Sequence, residues 1–375
     1  MNLSLTEEQE ILRQSARDFL EEKCPKSFVK EMEQDEKKYS PELWKEMADL
    51  GWVGLAFPEK YGGSDMNFLD LAVLLEEMGR ACLPSPFVAS VVLGGLPILD
   101  AGSEEQKAKY LPEIASGKAI FSMALIEPEL GYEATAIKAE AKAEGDSFVI
   151  NGTKLFVPYG NVADYLLVVA RTSKNAEGVT VFIVDAKSPG IKVTLLSTMA
   201  HENLCEVVFE NVKVSGNNVL GGVDQGWPVI QKALERNDAA RCCEVAGNFG
   251  WVMEDTIAYV LDRKQFGRPI GSFQVLQHYC ADMSTYLEGT RLAAHQAAWA
   301  VSEGLPSTRE VAVAKAWINQ VSATFFNLAH QMHGAMGVAL EHDLHFYTTR
   351  AKAVELGYGE GNYYREVVAK DMGLA

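Results

Sequence analysis

The hydrophobic period of this chain changes twice, once near Ala119 and once near Gly226. A helix buries every third or fourth side chain and a strand every second, so one periodicity cannot serve the whole length. Before Ala119 the spacing is helical. Thr6-Glu-Glu-Gln9 forms a capping box ahead of Ile11, Leu12, Ala16, Phe19 and Leu20. Ser40-Pro41 supplies an N-cap and an N1 proline for a second helix that stops at Leu50-Gly51. A turn follows at 58–63, and helical spacing returns over 69–78 and 104–114, ended by Ser116-Gly117. From Ala119 the pattern alternates. Residues 148–157 predict a hairpin around Asn151-Gly152, and 165–170, 180–184, 191–196 and 205–209 predict further strands. From Gly226 the spacing is helical again, over 227–262, 273–303, 307–331 and roughly 342–369, with no strand pattern between. Four long apolar-faced helices on short connections predict a bundle.

The expected fold is therefore α+β and multidomain: an α-helical N-terminal domain over 1–118, a central β-domain over 119–225 and a C-terminal four-helix bundle over 226–375. A length of 375 residues exceeds one ordinary core. The formal charge of −17 argues against nucleic acid, where cationic contacts carry affinity. It leaves room for an anionic ligand in a locally basic pocket. The six cysteines contain no C-x-x-C pair, which points to reduced thiols and a cytoplasmic protein. Residues 1–10 are polar and acidic, unlike a signal peptide, and no apolar run reaches membrane-spanning length.

One connection stands out chemically. Arg263-Lys-Gln-Phe-Gly-Arg-Pro-Ile-Gly-Ser-Phe-Gln-Val-Leu-Gln-His278 joins the first two bundle helices, and Gly267, Pro269 and Gly271 break the helical pattern. Arg263 falls at a helix C-terminus and Gln274 in the first turn of the next helix. Free backbone N–H groups beside a guanidinium fork suit a diphosphate, and an interhelical turn with a surface arginine is the alternative. His330-x-x-His333 and His342-x-x-His345 have ligand spacing, but glycines interrupt any single helix there and no metal is expected. Arg241 and Glu244 read as a structural ion pair, and Gly62-Gly63 and Gly94-Gly95 as turns.

The connection resembles the signature R-x-Q-F-G-x-P-I-x-x-F-Q-x-x-Q of the acyl-CoA dehydrogenase family of flavoproteins. Similar family motifs are Glu7-Glu-Gln, Phe57-Pro-Glu-Lys-Tyr-Gly-Gly63, Ile126-Glu-Pro128, Asn151-Gly-Thr-Lys154 and His330-Gln-Met-His-Gly-Ala-Met-Gly337, so the likeness spans almost the whole chain. The resemblance implies FAD as cofactor, an acyl-CoA substrate, an electron-transfer flavoprotein as partner, and self-association or a homologous partner subunit through the bundle. It also implies that Arg263, Gln265, Phe266, Gln274, Gln331 and Gly334 hold the adenosine diphosphate half of the cofactor, and Leu125, Ile126, Phe156 and Pro158 its ring. Tyr132, Glu235, Asn237 and Tyr358 would then line the substrate.

The ring side departs from the family pattern. Ile126 stands where Thr is usual, Gly131-Tyr132-Glu133 where Gly-Ser-Asp is usual, and Phe156-Val157-Pro158 where Trp-Ile-Thr or Trp-Ile-Ser is usual. The two positions the family uses for its catalytic base fall on Tyr358 and Asn237. Neither is a carboxylate, and a phenol or an amide is a poor base at neutral pH. The acids close by are Asp238, Glu235 and Glu360, and a local slip of one or two residues makes Asp238 or Glu360 the candidate base. Three functions remain open. The chain is an active dehydrogenase with a displaced base, a companion subunit resembling the small subunits of heterotetrameric members, or a flavoprotein doing other chemistry on a CoA thioester.

Overall fold

The computed structural model describes residues 5–129 and 131–374. Helices, then a β-region, then helices is the order observed. The chain packs as two compact units, each assembled from separated segments.

The first unit comprises Met1–Lys30, Phe68–Leu83 and Asp238–Ala375. It holds α1 (Glu7–Lys23), α4 (Phe68–Ala81) and most of α7 (Gly226–Asp262), with α8 (Gln274–Ser302), α9 (Thr308–His333), α10 (Leu344–Leu356) and α11 (Gly361–Asp371). The Thr6–Gln9 capping box forms as expected, each residue's side chain accepting from the other's backbone N–H. Helix α4 packs on α1 and α8, and α9 on α8, α10 and α11. Two glycines let α4 and α7 touch backbone to backbone. A Cβ on Gly79 would lie 2.0 Å from the Glu244 carbonyl oxygen, and one on Gly247 1.8 Å from that of Glu76. Stacked Phe249 and Phe325, 3.9 Å between centroids with Phe326 edge-on, fill the centre. Half-buried Glu76 ties α4 to α8 through Arg291 (3.0 Å) and His295 (2.8 Å). Burial alone would raise its carboxyl, but His295 and Arg291 hold it below the usual range.

The second unit comprises Glu31–Asn67 and Pro84–Asn237. Around its sheet stand α3 (Pro41–Asp49), a π-helical turn (Val88–Gly95), α5 (Leu96–Ala101) and α6 (Glu104–Ala115). The strands are β1 (Phe121–Ala124), β2 (Glu140–Glu144), β3 (Ser147–Pro158), β4 (Tyr165–Arg171), β5 (Val179–Asp185), β6 (Ile191–Leu195), β7 (Leu204–Ser215) and β8 (Val219–Leu220). Their order is β6-β7-β3-β2-β4-β5-β8, with β1 pairing parallel to β4 and most other neighbours antiparallel. Ile150, Val168, Phe182, Val207 and Phe209 are among the residues of its core. No described helix is long and apolar enough to cross a membrane.

Three local expectations are corrected. The predicted hairpin at Asn151-Gly152 is a continuous strand, and the turn lies earlier, between β2 and β3. Asn151 instead accepts a hydrogen bond from the Asn211 N–H at a bulge in the β3–β7 pairing. Gly94-Gly95 belongs to the π-helical turn rather than an open turn, because a Cβ at Gly94 would strike Phe121 and one at Gly95 would strike Phe57. The helix expected over 342–369 breaks at Gly357–Glu360 into α10 and α11. A short ladder, Lys264–Gln265 against Arg268–Pro269, also appears where no strand was expected.

Candidate active site

In the first unit, α7 ends as the Arg263 N–H donates to the Tyr259 carbonyl (2.8 Å), and Ile270 N–H closes the loop on Arg263 O (2.8 Å). Phe266 and Gly267, both at positive φ, turn the short ladder. The ladder carries Phe266 outward with 92% of its surface exposed. The Arg268 guanidinium lies 4.2 Å from the Phe273 ring, which settles the hairpin against the start of α8. Arg263, Gln265, Gln274, Gln331 and Gly334 are all exposed. The Arg263 guanidinium makes no hydrogen bond or ion pair with any described residue, although the chain carries a formal charge of −17. An added Cβ on Gly334 (φ +61°) would meet nothing within 4 Å, so its backbone is open to close approach. A guanidinium, carboxamides and bare backbone fit a diphosphate chemically, so this loop suits the cofactor the resemblance implies.

In the second unit, Leu125 and Ile126 follow β1 and turn their side chains into the core. What they can offer a ring is main chain. That main chain is held by a buried ion pair that sequence reasoning missed. Lys154 on β3 is fully buried, with its Nζ 2.7 Å from Glu127 Oε1 and 3.0 Å from the Leu125 carbonyl. The Ile126 carbonyl accepts from Leu155 N–H (2.8 Å). Glu127 also accepts from the N–H groups of Lys138 (2.7 Å) and Ala139 (3.0 Å). Burial pushes the Lys154 ammonium down to about 8 against the pull of Glu127. The signal was present as one buried charge of each sign in Ile126-Glu-Pro128 and Asn151-Gly-Thr-Lys154, but nothing in the spacing paired them. Phe156 is exposed at positive φ, Pro158 is buried and its carbonyl accepts from the Ser122 hydroxyl, and Tyr132 is half-buried.

In the first unit, Asp238 and the Tyr358 turn meet at Tyr364. Asp238, near the middle of α7, is 6% exposed, and its Oδ2 accepts from the Tyr364 hydroxyl at 2.7 Å. The same hydroxyl lies 3.0 Å from the Tyr358 carbonyl oxygen. Tyr358 sits at φ +55° between Gly357 and Gly359, in the break between α10 and α11. Lys315 of α9, buried, caps the end of α10 by donating to the carbonyls of Val354 (2.7 Å) and Gly357 (3.4 Å), a cation at a helix C-terminus. Its Nζ is 5.3 Å from the Tyr364 ring centroid. Glu360 precedes α11 as an exposed N-cap residue whose side chain makes no capping bond. Asn237 is buried one residue before Asp238, and Glu235 is half-buried in the preceding turn. Sequence reasoning named Tyr358, Asp238 and Glu360 but missed Tyr364 and Lys315. Arg241 and Glu244 form the expected ion pair at 2.8 Å.

The histidines cluster differently from their sequence spacing. Ligand atoms of Asp255, His333 and His342 lie within 4.8 Å of one another. His333 Nε2 faces the Thr256 hydroxyl (3.2 Å), and His342 Nδ1 accepts from Leu344 N–H (3.2 Å). His333 Nε2 and His342 Nε2 lie 3.7 and 3.8 Å from Asp255 Oδ2, a buried oxygen with no hydrogen-bond partner among the described residues.

Comparison with known proteins follows this geometry. The family models for the acyl-CoA dehydrogenase N-terminal, middle and C-terminal domains match residues 6–118, 122–212 and 224–373. The chain is 32% identical to a probable acyl-CoA dehydrogenase, YngJ, of Bacillus subtilis, over 99% of this chain and 100% of that one. It is 30% identical to the Caffeyl-CoA reductase-Etf complex subunit CarC of Acetobacterium woodii, covering 90% of each. Among solved structures, butyryl-CoA dehydrogenase from Megasphaera elsdenii superposes with a TM-score of 0.93 at 29% identity, covering 99% of this chain and 100% of that one. The chain belongs to the acyl-CoA dehydrogenase family of FAD-dependent flavoprotein oxidoreductases.

Proposed function

We propose that this chain is an FAD-dependent dehydrogenase of an acyl-CoA thioester, removing hydrogen from the α and β carbons and passing electrons to an electron-transfer flavoprotein in the cytoplasm. The observation that carries the proposal is the exposed, uncommitted Arg263 beside Gln274 on a chain otherwise acidic. Arg263, Gln265, Phe266, Gln274, Gln331 and Gly334 hold the adenosine diphosphate half, and Leu125, Ile126, Phe156 and Pro158 border the ring. When bound, FAD accepts the hydride from the substrate β-carbon. Asp238 or Glu360 takes the α-proton, and Tyr132, Glu235, Asn237 and Tyr358 line the acyl-CoA. The exposed Phe266 and the apolar Val338 and Leu340 near the Gly334 turn support self-association as a dimer or a dimer of dimers.

A second reading, a companion subunit of a heterotetramer, is favoured by Tyr358 and Asn237 at the usual base positions. The purified chain, examined for its visible spectrum and flavin content and then titrated anaerobically with acyl-CoA thioesters, separates the two. FAD near one per chain that bleaches with an acyl-CoA supports the dehydrogenase. Flavin retained only with a co-expressed homologue supports the companion.

A further inference from the structure

The contacts around Tyr364 contain a proton mismatch. Its hydroxyl, on a side chain 4% exposed, lies within hydrogen-bond distance of two acceptors, Asp238 Oδ2 (2.7 Å) and the Tyr358 carbonyl (3.0 Å). A hydroxyl has one proton to give and lone pairs that accept. With Asp238 ionised, that proton goes chiefly to the carboxylate, the charged and closer partner. With Asp238 protonated, the carboxylic acid donates to the phenol oxygen and the phenol donates to Tyr358, so each contact acquires its own proton. The same atoms therefore serve both protonation states of Asp238 with only a hydroxyl rotation.

The surroundings hold this arrangement still. Lys315 pins the Val354 and Gly357 carbonyls just before the turn, and the positive φ of Tyr358 and Gly359 directs the Tyr358 carbonyl back to Tyr364. Among the groups facing the Tyr364–Asp238 pair are Cys242 on α7, Lys315 on α9 and Tyr363 on α11. Burial and the Asp238 charge push the Tyr364 phenol far above its ordinary value, so it is a neutral donor throughout.

We propose that Tyr364 is the positioning residue of the proton-accepting site, coupling Asp238 to the Tyr358 turn so that the carboxylate can take a proton without repacking. This rests on the dehydrogenase reading with Asp238 as base. The substrate α-C–H bond breaks, its proton passes to an Asp238 oxygen, and its electron pair forms the new double bond as the β-hydride leaves to the flavin. Tyr364 exchanges no proton with substrate. It turns from Asp238 toward Tyr358 as the acid forms.

The test uses Tyr364→Phe, Asp238→Asn and their combination in the FAD-loaded protein, with pH profiles of kcat and kcat/KM. Tyr364→Phe is expected to leave KM and flavin content unchanged and to lower kcat roughly tenfold. It should also move the acid limb up by about one pH unit, because a donor to the ionised form has been removed. Adding it to Asp238→Asn should cost nothing further. An unmoved acid limb, or effects that multiply in the double variant, overturns the proposal. If no acyl-CoA reduces the unmodified protein, the dehydrogenase reading fails by itself. The coupling is then decided by the pH dependence of the unfolding temperature. The component abolished by Asp238→Asn should move upward by about one pH unit in Tyr364→Phe, and an unmoved component overturns the coupling.

Discussion

Replacing Glu127 by Gln isolates the buried ion pair beneath Leu125 and Ile126. The substitution keeps the shape and one acceptor oxygen but removes the charge that, among the described residues, is paired with Lys154, whose side chain is 0% exposed. Lys154 then stays charged without a partner or gives up its proton. Deprotonating a lysine of ordinary value 10.5 at pH 7 costs 3.5 pH units, or about 4.8 kcal/mol at 1.36 kcal/mol per unit. That figure is a ceiling, and breaking a buried pair from one side costs about 3–5 kcal/mol in general. We expect a loss of about 3–4 kcal/mol in urea unfolding at pH 7, with reduced FAD content because Lys154, the donor to the Leu125 carbonyl, loses the carboxylate that holds it in place. The combination Glu127→Gln with Lys154→Met should recover most of the stability, since no charge remains buried. A pH series adds a signed check. Folded Lys154 releases its proton near 8 and the unfolded chain near 10.5, so between these values the unfolded state binds more protons and stability rises with pH. In Glu127→Gln the rise should begin at lower pH. A single-variant loss under about 1 kcal/mol, or a double variant as unstable as the single one, would refute the reasoning.

Arg263→Ala should weaken FAD retention roughly tenfold to a hundredfold without lowering apoprotein stability, as a charge-assisted donor to phosphate is lost and no core contact is. Equilibrium dialysis with an unchanged constant would exclude the assignment. Burial, with nearby His342 and His330, holds His333 down to about 4, whereas the unfolded chain protonates it at its ordinary 6.5. Unfolding therefore takes up a proton between these values. The His333 contribution should fall by about 2 kcal/mol from pH 7.5 to 5, partly opposed by the raised carboxyl of Asp255 and flattened in His333→Gln. Gly247→Ala should cost about 3 kcal/mol or more by thermal unfolding, because its Cβ would fall 1.8 Å from the Glu76 carbonyl oxygen and the α4–α7 crossing must open.

The elements were legible wherever a local rule governs them. The Thr6–Gln9 box, the Ser40 cap with Pro41 and the two period switches are short-range and appear where expected. The failures occur where a long-range partner reassigns a local signal. Asn151-Gly152 has hairpin chemistry, yet Asn151 spends its oxygen on Asn211 and Gly152 lies close against Ala139, just ahead of β2, so the dipeptide makes a bulge. The helix over 342–369 has an unbroken apolar pattern, yet Gly357 and Gly359 flank a turn that Lys315 stabilises from another helix. The candidate cofactor loop was read from its own residues, whereas the setting of the candidate base Asp238 includes a tyrosine 126 positions away.

That distance bears on which acid removes the proton. Position counting places Asp238 one residue past Asn237 and Glu360 two residues past Tyr358, and does not choose between them. Their environments differ. Glu360 is exposed and its side chain makes no capping bond, so no described contact holds its carboxylate in one place. Asp238 is 6% exposed and its Oδ2 is held by a phenol at 2.7 Å, and a base acts only from a fixed position within reach of the proton. Physical chemistry therefore ranks Asp238 first. Asp238→Asn should slow flavin reduction by acyl-CoA at least about a hundredfold with FAD still bound, and Glu360→Gln should change it by less than about threefold. The decisive measurement is anaerobic stopped-flow reduction under single-turnover conditions, which reads the proton and hydride step apart from product release. The opposite pattern, with Glu360→Gln inactive and Asp238→Asn near normal, would place the base on the exposed turn. It would leave the buried carboxylate as the anchor that Tyr364 uses to hold α11 against α7.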